Sequence, residues 1–292
     1  MAELFGGIEA GGTKFVCAVA EEGGSCPRIL AETRVATRRP GETIAEVINF
    51  FREESAQRGP LAGVGIASFG PIDLDPTSPT YGYITSTPKQ GWTDFDLLGE
   101  VRRGLDGDEM HVGFDTDVNG AALAEWRWGE GKGFDTFVYV TVGTGIGGGG
   151  MVGGRLIHGL THPEMGHVFV PRHPKDDFEG TCKVHQECLS GYASGSALKQ
   201  RWGMSPSDLP DDHPAWELEC HYLAHGLANI ALVMSPQVIV LGGGVMRRAY
   251  LYDLVRRRLA TVLAGYVQAP PVKKPALAER AGVLGAIALA RG

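Results

Sequence analysis

Three times in this 292-residue chain an apolar, β-branched run ends in a cluster of glycines: EAGGT at residues 9–13, GTGIGGGG at 143–150 and LGGGV at 241–245. The apolar residues at 4–8 and 14–20 flank the first cluster and read as two strands joined by a tight turn. TFVYVTV (136–142) before the second cluster and MVGGRLIHG after it repeat that hairpin, and QVIVL leads into the third. Glycine lets consecutive backbone N–H groups approach an anion with no Cβ in the way. A chain in which strands repeatedly feed such turns is expected to fold as an α/β protein with the turns around a small phosphorylated ligand. It has no G-x-x-x-x-G-K-[S/T] loop, and GTGIGG is not followed by the ribose-binding acid of a dinucleotide fold. The expected ligand is therefore a nucleoside triphosphate held between two hairpins.

Around these turns the pattern is mixed. A polar segment leads into a helical pattern at 43–58. GVGIAS (63–68) reads as a buried strand ending in the loop FGPID, and TSTPKQGWTDFDL as an irregular stretch. HVGFDTD (111–117) reads as a strand running into a polar turn, and NGAALAEWRWG after it as an alanine-rich helix. Residues 162–190 show no period and are rich in His, Pro, Asp and Gly. So long a segment inside a folded domain is functional or held by something other than a core. Helical patterns return at 214–234 and 250–264, and the small residues of LAERAGVLGAIALA suit a helix packed closely on a sheet.

The length, with 43% hydrophobic residues, predicts two domains. A net charge of −7 and a pI near 5.7 argue against a nucleic-acid partner. The five cysteines form no paired framework, MAELFGGIEAGG lacks the basic-then-apolar pattern of a leader, and no apolar run reaches the roughly 18 residues of a spanning helix. The expectation is a cytoplasmic protein that does not meet the membrane.

Two groups of side chains carry chemistry. TCKVHQECLSG (181–191) sets Cys182, His185 and Cys188 at three-residue intervals, three soft ligands of a metal site. Asp115 and Asp117 stand at a strand-to-helix turn, where an aspartate either caps the helix or projects a base into a cleft.

In order along the chain, GGIEAGGTK, DTDVNGAALAEWRWGEG, TVGTGIGGG, HPEMGH with the C-x2-H-x2-C cluster, and LGGGV resemble the motifs of the ROK sugar kinases. These belong to the actin-like, ribonuclease-H-like ATPase superfamily, and the likeness is to their bacterial fructokinase branch over essentially the full length. The resemblance implies an α/β fold of two domains with an interdomain cleft. The small N-terminal domain would comprise residues 1–118 plus about 272–292, and a large domain of 119–271 would carry the zinc-bound segment. It implies ATP- and Mg²⁺-dependent phosphorylation of the 6-hydroxyl of D-fructose by a homodimer. Asp117 would be the general base and Glu9 would hold Mg²⁺ through water. Gly11, Gly12, Thr13 and Lys14 would line the first phosphate turn, Thr144 and Gly145 the second, and Gly243 and Gly244 the adenosine.

For the sugar, the resemblance points to Glu164 and His167. Thr116 stands where many relatives carry a sugar-binding asparagine, and this DTD form is common among fructokinases; Asn119 is a weaker candidate. Lys89 and Trp92, in TPKQGW, would close one side of the pocket. His167, fifteen residues before Cys182, would complete a closed structural zinc site with Cys182, His185 and Cys188. His162, His173 and Asp176 are further ligands nearby. Ser190 departs from the family, which usually places there a glutamate that reaches a sugar hydroxyl, so mannose and glucose stay open as alternative hexoses. A sugar-sensing regulator of the same family would need a DNA-binding domain ahead of the first phosphate turn, which here begins by Glu9.

Overall fold

Glycine and apolar residues alternate in LFGGIEA, LAGVGIAS and HVGFDT, and strand geometry sends such alternating positions to opposite faces of a sheet. The structure, a computed structural model, describes residues 2–106 and 110–292. It forms two compact units. One comprises residues 1–132, 156–163 and 279–292, the other 133–155 and 164–278.

The first unit contains β1 (Leu4–Ala10), β2 (Lys14–Glu21), β3 (Arg28–Ala36), α1 (Pro40–Arg58), β4 (Leu61–Ser68), the short β5 (Tyr83–Ile84) and β6 (Phe95–Asp96), α2 (Leu97–Gly104), β7 (His111–Thr116) and α3 (Asp117–Trp128). The C-terminal helix (Ala281–Leu289) completes it. The main sheet has the order β3-β2-β1-β4-β7, with β1 and β2 an antiparallel hairpin and β1, β4 and β7 parallel. The strand β3 corrects the reading of that stretch as a polar lead-in. It is an edge strand on which only Val35 is buried, so its alternation is muted by charge.

The register puts Gly7, Gly65 and Gly113 in one row across the three parallel strands. The C-terminal helix lies directly on this row. A Cβ on Gly65 would overlap the Ala286 carbonyl oxygen, one on Gly113 the Leu289 carbonyl oxygen, and one on Gly7 would fall 2.7 Å from Ile287. Helix α3 meets the same helix backbone to backbone, Gly120 against Gly285. Residues of the alternate rows, Ile8, Val64, Ile66 and Phe114, join a core cluster with Val47, Phe51, Trp92 and Leu97. Gly65→Ala must push backbone, not a flexible side chain, so it is expected to cost about 3 kcal/mol, roughly 5–10 °C in Tm. Gly41→Ala, with nothing within 4 Å of its added Cβ, is the control. An unchanged Tm in Gly65→Ala would show that the helix is not seated on the glycine row.

The second unit contains β8 (Phe137–Val142), β9 (Ile146–Val152), β10 (Arg155–Leu156), α4 (Leu189–Ala193), α5 (Gly195–Trp202), α6 (Ala215–Met234), β11 (Val238–Gly242), α7 (Ala249–Leu263) and β12 (Val272–Lys273). Its sheet order is β10-β9-β8-β11-β12. The returning strand of the second hairpin begins at Ile146, not after the glycines, so Gly147–Gly150 are themselves paired with β8. At Gly148 the turn at Met165–His167 leaves no room for a side chain: a Cβ there would lie 2.8 Å from the Met165 Cβ. Residues 162–190 hold only that turn, the first residues of α4 and the isolated bridges Phe169–Cys188 and Cys182–Gln186. No helix among the described residues is long and apolar enough to cross a membrane.

Candidate active site

In the first unit, Ala10, Ser68 and Thr116 are aligned across β1, β4 and β7. The glycine turn and Asp117 therefore leave the sheet at the same edge, two strands or roughly 10 Å apart. The turn is tight, Gly11 donating its N–H to the Lys14 carbonyl at 3.1 Å. Thr37 braces it from β3's end: its hydroxyl donates to the Gly11 carbonyl at 2.7 Å and its N–H to the Thr13 carbonyl at 3.0 Å. With those carbonyls engaged, the N–H groups of Gly12 and Thr13 have no backbone acceptor among the described residues, and Gly12, Thr13 and Lys14 are exposed. Successive exposed backbone donors in a turn are what an anion-binding nest requires. One row behind, Glu9 abuts Gly282 of the C-terminal helix, where a Cβ would overlap its carboxylate. Burial pushes the Glu9 carboxyl above its ordinary range, with the Lys14 ammonium opposing.

Asp117 is the first residue of α3, two residues earlier than the sequence reading starts that helix. The helix is capped by neither aspartate. Thr116 is the cap, its hydroxyl accepting from the Asn119 N–H at 3.1 Å. The half-buried Asp117 is left at the strand-to-helix step, with Oδ1 accepting from the Val118 N–H at 2.9 Å. Asp115, by contrast, is 2% exposed. Its Oδ1 accepts from the Thr116 N–H at 2.7 Å and from Asn119 Nδ2 at 2.8 Å, and its Oδ2 lies 2.7 Å from His158 Nε2. The His158 contact is not readable from the sequence, since 43 residues separate it from Asp115. Lys89 is partly exposed in its loop, but Trp92 does not line a pocket. It is fully buried against Phe15, Phe69 and Phe95, with its indole N–H donating to the Arg38 carbonyl at 2.8 Å.

In the second unit, Thr141 pairs with Gly242 and Val142 with Ile146, which places the 143–145 turn and Gly243–Gly244 at one edge of the sheet. Helix α5 begins there, the N–H groups of Gly195 and Ser196 donating to the Gly143 and Thr144 carbonyls at 2.7 and 3.3 Å. Thr144 and Gly145 are exposed. Gly243 has φ of +96° and its missing Cβ would overlap the Val142 carbonyl oxygen, so only glycine fits. Ser190, at the start of α4, reaches this turn: its hydroxyl accepts from the Ile146 N–H at 3.1 Å.

The four side chains His167, Cys182, His185 and Cys188 converge, one ligand atom of each lying within 4.8 Å of the others. The Nδ1 atoms of His167 and His185 are 3.2 Å apart. Cys182 Sγ is 3.7 Å from His167 Nδ1 and 3.8 Å from His185 Nδ1, and Cys188 Sγ is 3.4 Å from His167 Nδ1. A tetrahedral zinc with ordinary bond lengths would set N–N at about 3.3 Å and N–S at about 3.6 Å, so the residues fit that ion. Against the effect of burial, the backbone N–H groups of His185 and Val184 lower the Cys182 thiol to about 6, whereas burial pushes the Cys188 thiol up to about 11, so the thiolate a metal needs is favoured at Cys182 alone before an ion binds. The His167 ring presents Nε2 on its other side, 4.0 Å from a Glu164 carboxylate oxygen. The other candidate ligands are engaged elsewhere: His162 Nε2 accepts from the Ile72 N–H, His173 Nδ1 from the Lys175 N–H, and Asp176 pairs with Arg201 and Tyr222.

A family model described as "ROK family" matches residues 5–292. A fructokinase from Zymomonas mobilis is 44% identical over 296 residues, covering 99% of this chain and 96% of that protein. Among solved structures, a ROK hexokinase from Thermus thermophilus superposes with a TM-score of 0.81 at 26% identity, covering 99% of this chain and 98% of that one. A ROK family glucokinase from Streptomyces griseus, in complex with glucose and AMPPNP, does so with a TM-score of 0.73 at 27% identity, covering 99% of each.

Proposed function

Because the chain belongs to the ROK family and has its actin-like ATPase fold, we propose that it transfers the γ-phosphoryl group of ATP to the 6-hydroxyl of D-fructose. The observation that carries the reading is the register of β1, β4 and β7, which brings a nest of exposed backbone donors and the Asp117 carboxylate to one sheet edge. Phosphoryl transfer asks little covalent chemistry of a protein; it asks for alignment, charge stabilisation and a place for the hydroxyl proton. Asp117 takes that proton as the sugar oxygen attacks. The turns at 11–14 and 143–145 donate to phosphate oxygens, and Gly243 and Gly244 let the adenosine approach the backbone. Glu9 would hold Mg²⁺ through water, where the ion neutralises phosphate charge when bound.

Fructose is favoured by the full-length identity to the Zymomonas mobilis fructokinase. Glu164, His167, Thr116 and Lys89 are assigned to the sugar. Thr116 is 3% exposed and its hydroxyl accepts a helix-capping bond, so only its remaining hydrogen-bonding capacity would be left for a sugar hydroxyl. Zinc on His167, Cys182, His185 and Cys188 would replace the core that residues 162–190 lack and fix His167 for the sugar. Another hexose is the second reading, and Ser190 carries it: its hydroxyl accepts from the phosphate turn, leaving no carboxylate at that position for the sugar.

We assign the protein to the cytoplasm with no nucleic-acid or membrane partner, and to a homodimer. Phe169, Val184, Leu232 and Val233 of the second unit are exposed apolar side chains that a second copy would cover. Light scattering is expected to give twice the chain mass; a monomer at micromolar concentration would refute the dimer. The reaction itself is tested by ³¹P NMR of fructose incubated with the enzyme, ATP and Mg²⁺. The expected product is the 6-phosphate ester, whereas the 1-phosphate, or ATP hydrolysis without an ester, would overturn the assignment.

A further inference from the structure

The chain leaves the second unit after Arg155, contributes residues 156–163 to the first, and returns at Glu164. This eight-residue strap is latched to the first unit by two imidazoles. His162 Nε2 accepts from the Ile72 N–H at 3.2 Å, and His158 Nε2 lies 2.7 Å from Asp115 Oδ2. The two latches differ in what they grip. The first holds backbone in a loop, while the second holds a carboxylate that is almost fully buried at the junction carrying Asp117.

Both bonds of Asp115 Oδ1 bear on that junction. Oδ1 takes the Thr116 N–H, the residue before Asp117, and the Asn119 side-chain amide, two residues after it. Asn119 is fully buried, and its Nδ2 also reaches toward the Ile157 carbonyl at 3.5 Å, so the strap and the first turn of α3 share donors. Oδ2 is oriented by His158, whose side chain is 44% exposed and therefore contributes little to the core. The carboxylate raises the His158 pKa, as expected of a hydrogen bond that favours the charged ring. An ion pair on so exposed a ring would add little to stability by itself. Its geometric consequence is larger: without His158 the Asp115 carboxylate is held through Oδ1 alone, and Asp117 is attached two residues away.

We propose that Asp115 and His158 form a positioning pair for phosphoryl transfer, in which His158 locks the Asp115 carboxylate and Asp115 in turn fixes the strand-to-helix step that aims Asp117. The inference rests on the reading of Asp117 as the general base. Neither side chain touches the reacting atoms, so the pair acts on kcat through alignment, where small displacements are costly.

The test compares His158→Ala with His158→Gln, whose amide nitrogen reaches the position of Nε2, in the full-length enzyme with fructose and MgATP. His158→Ala is expected to lower kcat about tenfold, with the KM for ATP changed less than about twofold and Tm nearly unchanged because the His162 latch remains. His158→Gln is expected to recover kcat to within about threefold of the parent. In a double-mutant cycle, adding His158→Ala to Asp115→Asn is expected to cost nothing further, since the carboxylate it orients is gone. Parental kcat in His158→Ala, equal losses in the Ala and Gln variants, or additive losses in the cycle would each overturn the pair. If Asp115→Asn fails to fold, the Ala and Gln comparison decides. Asp117→Asn is measured alongside: if it is inert while His158→Ala is unimpaired, only the pair falls, whereas an active Asp117→Asn removes the base and the pair with it.

Discussion

Asp117→Asn is expected to lower the turnover of fructose phosphorylation by about a thousandfold while changing the affinity for MgATP less than about threefold. The amide is isosteric, so the helix step is preserved: the cap is the Thr116 hydroxyl, and the Val118 N–H finds the same oxygen in asparagine. What is lost is the acceptor for the hydroxyl proton. The turn at residues 11–14 is braced separately, by Thr37, and does not depend on that carboxylate. Isothermal titration with a non-hydrolysable ATP analogue, together with ADP release, separates the two quantities. Turnover within tenfold of the parent would remove Asp117 from the role, and a collapse of nucleotide binding would mean that the substitution damaged the fold.

The second large effect is expected from the Cys/His cluster. The purified protein should carry about one zinc per chain, and its removal should cost several kcal/mol of stability, since segments that depend on a structural zinc lose their fold without it. On the proposed zinc site residues 162–190 would depend on the ion, so the loss should appear as increased proteolysis there and a raised KM for the sugar. A closed four-ligand site has no open position for a catalytic water. Cys182→Ser should reproduce the effect of chelation. Elemental analysis without zinc, or unchanged Tm and KM after chelation, would contradict the assignment. Chelation that abolished kcat while leaving Tm and proteolysis untouched would place the metal in the chemistry instead.

How much of this was legible in the sequence depends on the range over which each signal acts. Both hairpins and the β11 junction are legible because glycine punctuates strands locally, as are α1, α6, α7 and the C-terminal helix. The edge strand β3 is not, because charged side chains hide its alternation. The grip of the C-terminal helix is half legible. Its small residues predict close packing, but the facing row of Gly7, Gly65 and Gly113 exists only once the strand register is known. In the site, His167 can be proposed as a fourth metal ligand, yet choosing it over His162, His173 and Asp176 takes geometry, because each of those three is engaged by a different partner. Trp92 reads as a pocket wall and is a core residue. Asp115 reads as a possible cap and instead organises the junction, through a histidine 43 residues away.

Ser190 bears on which hexose the site would take. Its hydroxyl is tied to the Ile146 N–H beside the 143–145 turn, and on the proposed assignment hexose choice would fall to the remaining side chains. The direct measurement is kcat/KM by ADP release for fructose, mannose, glucose and N-acetylhexosamines under one set of conditions with saturating MgATP. Fructose is expected to be the best substrate, by at least about tenfold over each of the others, a margin of roughly 1.4 kcal/mol in transition-state binding. Equal or higher kcat/KM with mannose or glucose would contradict it.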